Sequence, residues 1–252
     1  MYKIPANTLF VGKNLVFVPE CPSTNALALE ISQQSAAKDG TVVITDSQTA
    51  GKGQRGNTWE AAPGLNLTFS IITKPGFLAV NKQFYLNIVI SLALKDYLEE
   101  KIPDAVYVKW PNDILVHDRK ISGILIENQL HGSTIVHSVI GIGINLNQQN
   151  FNSSTATSLS LVTGREYDRE RELALLLPFI ERRYLELRRG DYGRLMDAYL
   201  AALYRRNARH VFSSGGETFE GIIRDLDEWG KLRVETEQGV RVFDVKELYY
   251  IS

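Results

Sequence analysis

The chain has 252 residues, 28 Lys and Arg against 29 Asp and Glu for a formal charge of −1, and a 44% hydrophobic content. That length suits one large domain plus a small appendage and buries enough surface to fold without disulfides. The balanced charge disfavours a dedicated nucleic-acid or membrane-surface binder, and the single cysteine, Cys21, excludes an intrachain disulfide or multi-cysteine metal centre and reads as a buried inert thiol.

Leu15-Val16-Phe17-Val18 predicts a first strand, stopped by Pro19 and Pro22. Ser23-Thr24-Asn25 then precedes helix-forming residues 26–31, and its side-chain oxygens suit the N-cap. Residues 41–45 are a β-branched run and predict a buried strand. Residues 46–57 are polar, with three glycines and two cations, and residues 65–73 predict the next strand. Residues 84–98 place Phe84, Ile88 and Leu92 on one helical face. Residues 106–110 read as a strand ending at the turn Pro111-Asn112-Asp113. Residues 114–116 and 121–127 form a hairpin around 117–120, and a turn at 131–133 leads into strand 135–146, so a three-stranded antiparallel meander is expected. Residues 147–157 are a loop. Residues 169–189 and 192–204 are amphipathic helices, with Pro178 at a kink or first turn. From residue 205 short strands alternate with Gly and Asp turns, as in a small barrel of about 45 residues. The fold class expected is α+β: a mixed, largely antiparallel sheet with packed helices over 1–204 and a small all-β domain over 205–252.

The loop Gln48-Thr49-Ala50-Gly51-Lys52-Gly53-Gln54-Arg55-Gly56-Asn57-Thr58-Trp59 lets backbone N–H groups approach an anion, with Lys52 and Arg55 adding charge. It lacks a Walker A ending, and a mobile surface loop has the same composition. Lys109-Trp110-Pro111-Asn112-Asp113 joins a cation, an aromatic and a carboxylate at a strand end, or is a plain turn. Lys120 reads as a solvated hairpin residue, yet Gly123, Gly141 and Gly143 inside strands mark places where a ligand approaches the sheet. Gly141-x-Gly143 has no third glycine and no following helix, so a dinucleotide fingerprint is excluded. His117, His131, His137 and His210 show no metal-ligand spacing, and no Gly-x-Ser-x-Gly elbow is present. Arg182-Arg183, Arg188-Arg189 and Arg205-Arg206, interleaved with Glu172, Glu181 and Glu186, read as solvated helix faces. No secretion signal and no run of roughly 20 apolar residues is visible, so a cytoplasmic location is expected.

Taken in order, Ser23-Thr24-Asn25, the glycine-rich loop closing on Trp59, Lys109-Trp110-Pro111-Asn112-Asp113, Lys120-x-x-Gly123-Ile124-Leu125 and Gly141-x-Gly143-x-Asn145 resemble the biotin protein ligases in order and spacing. The resemblance implies a class II synthetase-like catalytic domain followed by an SH3-like barrel. It implies an enzyme that activates biotin with ATP and Mg²⁺ as biotinyl-AMP and transfers it to a lysine of a biotin carboxyl carrier protein domain. By position, Ser23, Thr24 and Gln48 would hold the biotin ureido ring, with Asn25 at the pocket's edge. Gly51, Lys52 and Gly53 would cradle carboxylate and phosphate beside Gln54 and Gly123, and Lys120 would bridge carboxylate and α-phosphate. Trp59 would pack by the adenine, with Asn112, Ile124 and Asn145 near the nucleotide. Arg55 and Asp113 would join Lys120 in catalysis, Asp113 also meeting Mg²⁺. The family's loop often reads Gly-Arg-Gly-Arg-Arg-Gly-Arg, whereas Lys52, Gln54 and Asn57 replace three of those arginines in this chain. Only 22 residues precede Ser23, too few for the helix-turn-helix domain of family members that repress transcription, so the ligase-only form is expected: no DNA, no membrane, and a monomer or homodimer. A lipoate-protein ligase of the same fold and a non-catalytic vitamin or nucleotide binder are the alternatives.

Overall fold

A computed structural model describes residues 7–34 and 37–251. Its elements run β1 (Leu15–Cys21), α1 (Thr24–Ser32), β2 (Thr41–Gln48), β3 (Leu67–Thr73), α2 (Phe84–Glu99), β4 (Val106–Lys109), β5 (Asp113–Val116), β6 (Arg119–His131), β7 (Thr134–Ile144), α3 (Leu159–Thr163), α4 (Arg169–Arg188) and α5 (Tyr192–Ala202). Five further strands follow: β8 (Arg209–Ser214), β9 (Glu217–Leu226), β10 (Leu232–Thr236), β11 (Gly239–Phe243) and β12 (Tyr249–Tyr250).

Among the described residues, seven strands form one sheet in the order β1-β2-β3-β7-β6-β5-β4. β1 and β2 are parallel and the other pairs antiparallel, so the sheet is mixed and largely antiparallel, as expected. β1 runs through Pro19 instead of stopping there. It is an edge strand, where a proline need not donate to a ladder.

The period-2 alternation of the strands sorts the sheet into two faces. Val42, Ile44, Phe69, Ile71, Ile140 and Ile142 belong to the main core, which α2, α4 and α5 cover. Val43, Ile72 and Val139 face the other way, onto Ala28 of α1. Each such Val, Ile or Phe contributes about 1.5–3 kcal/mol when fully buried, which pins the register. α1 is short and covers only the 43/72/139 end of its face. Along the same rows the sheet presents Ser70 and Thr68 on β3, Gly141 and Gly143 on β7, and Gly123, Leu125 and Glu127 on β6. The site lies on this face, beyond the N-terminus of α1.

The charged residues of α4 correct the sequence reading. Glu172, Glu181 and Glu186 are buried rather than solvated. Glu181 accepts the backbone N–H groups of Leu9, Phe10 and Val11 at 2.6, 2.7 and 3.0 Å. Glu172 accepts the Tyr97 hydroxyl and pairs with Lys101 at 2.7 Å. Arg183 forks onto both carboxylate oxygens of Asp96 at 2.8 and 3.0 Å. Farther on, Arg206 donates to the carbonyls of Arg224 and Leu200. Charge spacing along one helix does not reveal a partner that another element brings to it. Pro178 lies inside α4, and α3, not expected, is capped by Ser158 and closed by Gly164 in the left-handed region.

β8–β12 form a second, antiparallel sheet in the order β11-β10-β9-β8-β12. It shares a hydrophobic core with the first, and hydrogen bonds at the Gly230 turn and in the connection from α5 add to the join. Trp110 Nε1–H donates to the Gly230 carbonyl at 2.9 Å, and the Gly230 turn, at φ +84°, packs so closely on Phe84 of α2 that a Cβ there would overlap the ring. The Tyr204 N–H donates to the Val108 carbonyl at 2.8 Å.

Candidate active site

A cavity of about 590 Å³ opens on the α1 face of the large sheet, within the usual range for a small-molecule site. Its floor is the glycine-bearing centre of the sheet, one end is the first turn of α1 with Gln48, one side is the loop 52–59, and the far wall comes from residues 245–250.

The floor explains the strand glycines. Gly143 pairs across the sheet with Gly123 and Thr68, and Gly141 with Leu125 and Ser70. A Cβ on Gly143 would overlap the Trp59 indole, and one on Gly141 would overlap Asn25 Oδ1. Trp59 therefore lies flat over the Gly123–Gly143 pair, with its Nε1–H buried and unpartnered. Both glycines are where the backbone must be approached closely.

At the α1 end, Ser23 holds the N-cap position but makes no side-chain cap bond, contrary to the capping expectation. The helix begins at Thr24, and the polar side chains turn into the site instead. The Thr24 N–H and hydroxyl both point to Gln48 Oε1, at 2.7 and 3.2 Å. Asn25 Nδ2–H donates to Glu127 Oε2 at 2.7 Å and to the Leu125 carbonyl at 3.2 Å.

Lys120 reaches the cavity because β6 carries a bulge. Leu115 pairs with Lys120 but Ile114 pairs with Ser122, leaving Ile121 as an extra residue. The bulge swings Lys120 onto the same face as Gly123. The segment 155–157 straps it in place: the Lys120 N–H donates to the Thr155 carbonyl at 2.7 Å, and the Lys120 carbonyl accepts from Thr157 at 2.9 Å. Lys120 Nζ then sits 2.6 Å from Asp113 Oδ1 and 5.7 Å from the Trp59 ring centroid. The preceding turn, His117-Asp118, has φ of +47° and +67°, as a two-residue hairpin of type I′ requires. Asn112 Nδ2–H donates to the Ile124 carbonyl at 2.5 Å, tying the Trp110–Asp113 corner to β6.

The glycine-rich loop is closed on itself. Gly53 N–H donates to the Asn57 carbonyl at 2.7 Å, Trp59 N–H to the Gly51 carbonyl at 3.1 Å, and Gln54–Gly56 form a single 3-10 turn at the tip. The Arg55 side chain lies outside the described residues. Gly51 does not line the cavity; a Cβ there would press on the Trp59 carbonyl and the Gln48 amide, so it holds the two loop ends together. Asn145 is also off the wall. It is buried, its Nδ2–H donates to the Thr157 carbonyl at 3.0 Å, and its Oδ1 has no partner. It secures the strap over Lys120 from behind. Ser23, Thr24, Asn25, Gln48, Lys52, Gly53, Gln54, Trp59, Asn112, Asp113, Lys120, Gly123 and Ile124 do share the cavity.

Residues missed in the sequence are those set by register or by the second sheet: Thr68 and Ser70, and Leu248 and Tyr250. Lys109 Nζ lies 4.8 Å from the Tyr250 ring centroid. Burial pulls the Lys109 ammonium below the usual lysine range, Asp113 opposes this, and Lys120 and Arg205 add to it. Burial also raises Cys21, in keeping with an inert thiol. Among the described residues no cluster of three His, Cys, Asp or Glu side chains could cage a metal.

Residues 17–145, half of the chain, match the biotin/lipoate A/B protein ligase family. The chain belongs to that family. The bifunctional ligase/repressor BirA of Bacillus subtilis (strain 168) is 31% identical over 242 residues, covering 93% of this chain and 73% of the relative. The biotin–[acetyl-CoA-carboxylase] ligase of Paracoccus denitrificans is 29% identical, covering 90% of this chain and 97% of that one. Among solved structures, the biotin protein ligase from Aquifex aeolicus in complex with biotin and ATP superposes with a TM-score of 0.77 at 26% identity, covering 94% and 98%. That alignment spans both sheets of this family member.

Proposed function

We propose that this chain is an ATP-dependent ligase that activates biotin as biotinyl-AMP and transfers the biotinyl group to a lysine of a biotin carboxyl carrier protein domain. The observation that carries the reading is the convergence of Thr24, Gln48, Trp59, Lys120 and Asp113 on one cavity, in a chain whose structural relative holds biotin and ATP together. Ser23, Thr24 and Gln48 take the vitamin's ring system, with Asn25 behind them. Lys52, Gly53 and Gln54 lie along its acyl chain and carboxylate, and Trp59, Asn112 and Ile124 border the adenylate. Residues 1–204 act as the catalytic domain and 205–252 as a small β domain that completes the wall. The carrier domain is the protein partner, no DNA or membrane is involved, and the enzyme works in the cytoplasm as a monomer or homodimer. Among the described residues no helix is long and apolar enough to cross a membrane.

In the first step a carboxylate oxygen of biotin attacks the α-phosphorus and pyrophosphate leaves. Two anions must meet, and negative charge grows on the α-phosphate. Lys120 answers both, because the bulge holds its ammonium beside Asp113, ready to exchange that partner for substrate oxygens. Among the described residues Asp113 is the one carboxylate on the cavity wall, and it would hold Mg²⁺ brought with ATP. When bound, the ion neutralises phosphate charge. In the second step the carrier lysine attacks the acyl carbon as a neutral amine, AMP leaves, and Asp113, released from Lys120, accepts the amine proton.

Purified chain with biotin, Mg-ATP and a carrier domain is expected to label the carrier covalently, and lipoate is expected not to replace biotin. Lys120→Ala is expected to slow pyrophosphate release by about a hundred- to a thousand-fold, the worth of one well-placed charged donor. A near-normal rate in that variant removes Lys120 from the mechanism, and carrier that stays unlabelled by wild type removes the function.

A further inference from the structure

Behind the α1 end of the cavity a polar network crosses four elements. Ser70, fully buried on β3, has its hydroxyl 2.8 Å from Thr24 Oγ1 and 2.6 Å from Asn25 Oδ1. The Thr24 hydroxyl in turn lies 3.2 Å from Gln48 Oε1. Two hydroxyl protons thus serve three contacts, so the direction of the chain is not set by the hydroxyls themselves. It is set by which atom of the Asn25 amide faces Ser70. If Oδ1 faces it, Ser70 donates to Asn25. If the amide were flipped, Nδ2 would donate to Ser70, and both hydroxyls would turn toward Gln48.

The other side of the amide decides. Nδ2 faces Glu127 Oε2 at 2.7 Å and the Leu125 carbonyl at 3.2 Å, and a carboxylate can only accept. Glu127 lies on β6 opposite Val139 and does not line the cavity. Gly141 leaves room for the amide to rest on the sheet between Glu127 and Ser70, since a Cβ there would displace Oδ1. We propose that Glu127 is a positioning residue for the vitamin acid: it locks the Asn25 amide with Oδ1 toward Ser70 and, through the Ser70 hydroxyl, sets the Thr24 hydroxyl beside the ligand. Gln48 is oriented separately, because the Thr24 backbone N–H holds its Oε1 at 2.7 Å and leaves Nε2 free to donate. The inference rests on the function proposed above and adds the group that orients its acid-recognition end.

The test measures biotin affinity by calorimetry, and the KM values for biotin and ATP in pyrophosphate release, for wild type, Glu127→Ala, Glu127→Gln, Asn25→Ala and the double variant. Glu127→Ala is expected to weaken biotin about tenfold or more, the worth of a charge-assisted hydrogen bond, with the ATP KM held within about twofold. Glu127→Gln, which still offers an oxygen acceptor, should recover most of the loss. The double variant should be no worse than Asn25→Ala, because Glu127 acts through Asn25. Ser70→Ala, tested alongside, breaks the relay without touching the carboxylate and should also raise the biotin KM alone. Unchanged biotin affinity in Glu127→Ala, an equal rise in both KM values, or additive losses in the double variant overturns the proposal. Wild type that fails to bind biotin overturns the function instead, so the two failures are told apart.

Discussion

The sharpest constraint in the molecule is one missing carbon. Gly143 has no Cβ, and the Trp59 indole occupies the space where one would be. Gly143→Ala is therefore expected to lift the ring off the sheet while leaving the strand ladder intact, since alanine keeps both ladder groups and the backbone there is not in the left-handed region. If Trp59 borders the adenylate as proposed, ATP is expected to bind about tenfold more weakly, the worth of a packed aromatic wall of about 1–2 kcal/mol. The Trp59 contribution to the emission spectrum should shift toward that of a solvated indole. An unaltered spectrum and ATP affinity would mean that the indole is not held by that glycine. Gly141 imposes the same restriction on a polar group, the Asn25 amide. That something approaches the backbone at Gly143 and Gly141 is legible in the sequence; what approaches is not. The partners lie 84 and 116 residues earlier in the chain, at Trp59 and Asn25, and no local pattern connects them.

At the scale of elements, the strands and helices of the large sheet were readable because β-branched runs end at Gly, Pro and Asn, and because α2 keeps a helical apolar stripe. The misreadings share a cause. Ser23-Thr24-Asn25 has the composition of a cap, but Ser23 makes no side-chain cap bond, and the Thr24 and Asn25 side chains are taken up by Gln48, Ser70 and Glu127, which other elements bring to them. The β6 bulge that delivers Lys120 leaves no mark in the sequence, since Ile121 is as apolar as its neighbours. The glycine-rich loop yields a prediction of its own. Its backbone bonds close it into a hairpin turned by Gln54–Gly56, with Gly56, Asn57 and Thr58 exposed at the cavity's side. Biotinyl-AMP is a mixed anhydride, so water has to be kept out until the carrier amine arrives. Amides of residues 51–57 are expected to exchange more slowly with biotin and ATP together than with neither; equal exchange in both states would rule out closure.

On the scale of the whole molecule, the buried core runs on from the large sheet to Phe212, Ile223, Leu232 and Val234 of the second, and the Gly230 turn adds a fastening of its own. The Gly230 turn accepts from Trp110 and rests on Phe84, and its positive φ and lack of a Cβ are both used. Gly230→Ala brings a strained backbone and a steric clash together, for an expected loss of about 1–3 kcal/mol. The melting temperature should fall by about 2–4 °C for each kcal/mol in a chain of this size. An unchanged melting curve would show that the turn does not fasten the sheets. Trp110 stands in the segment with Asn112 and Asp113, so the same corner that carries a cavity carboxylate also seats the second sheet. That double duty explains why the segment looked like chemistry in the sequence while its tryptophan proves to be a fastening.

The wall built from residues 245–250 has a consequence for the order in which the protein comes into being. A ribosome that has delivered everything through α5 has made the cavity's floor, its loop and Lys120, but not Leu248 or Tyr250, and not the turn that seats on Trp110. The nascent chain thus carries an unfinished enclosure until those residues emerge, and in it an activated acyl group would be lost to solvent. The last strands therefore supply the shelter rather than the activating groups, and a stalled or clipped polypeptide is expected to spend ATP on an intermediate it cannot keep.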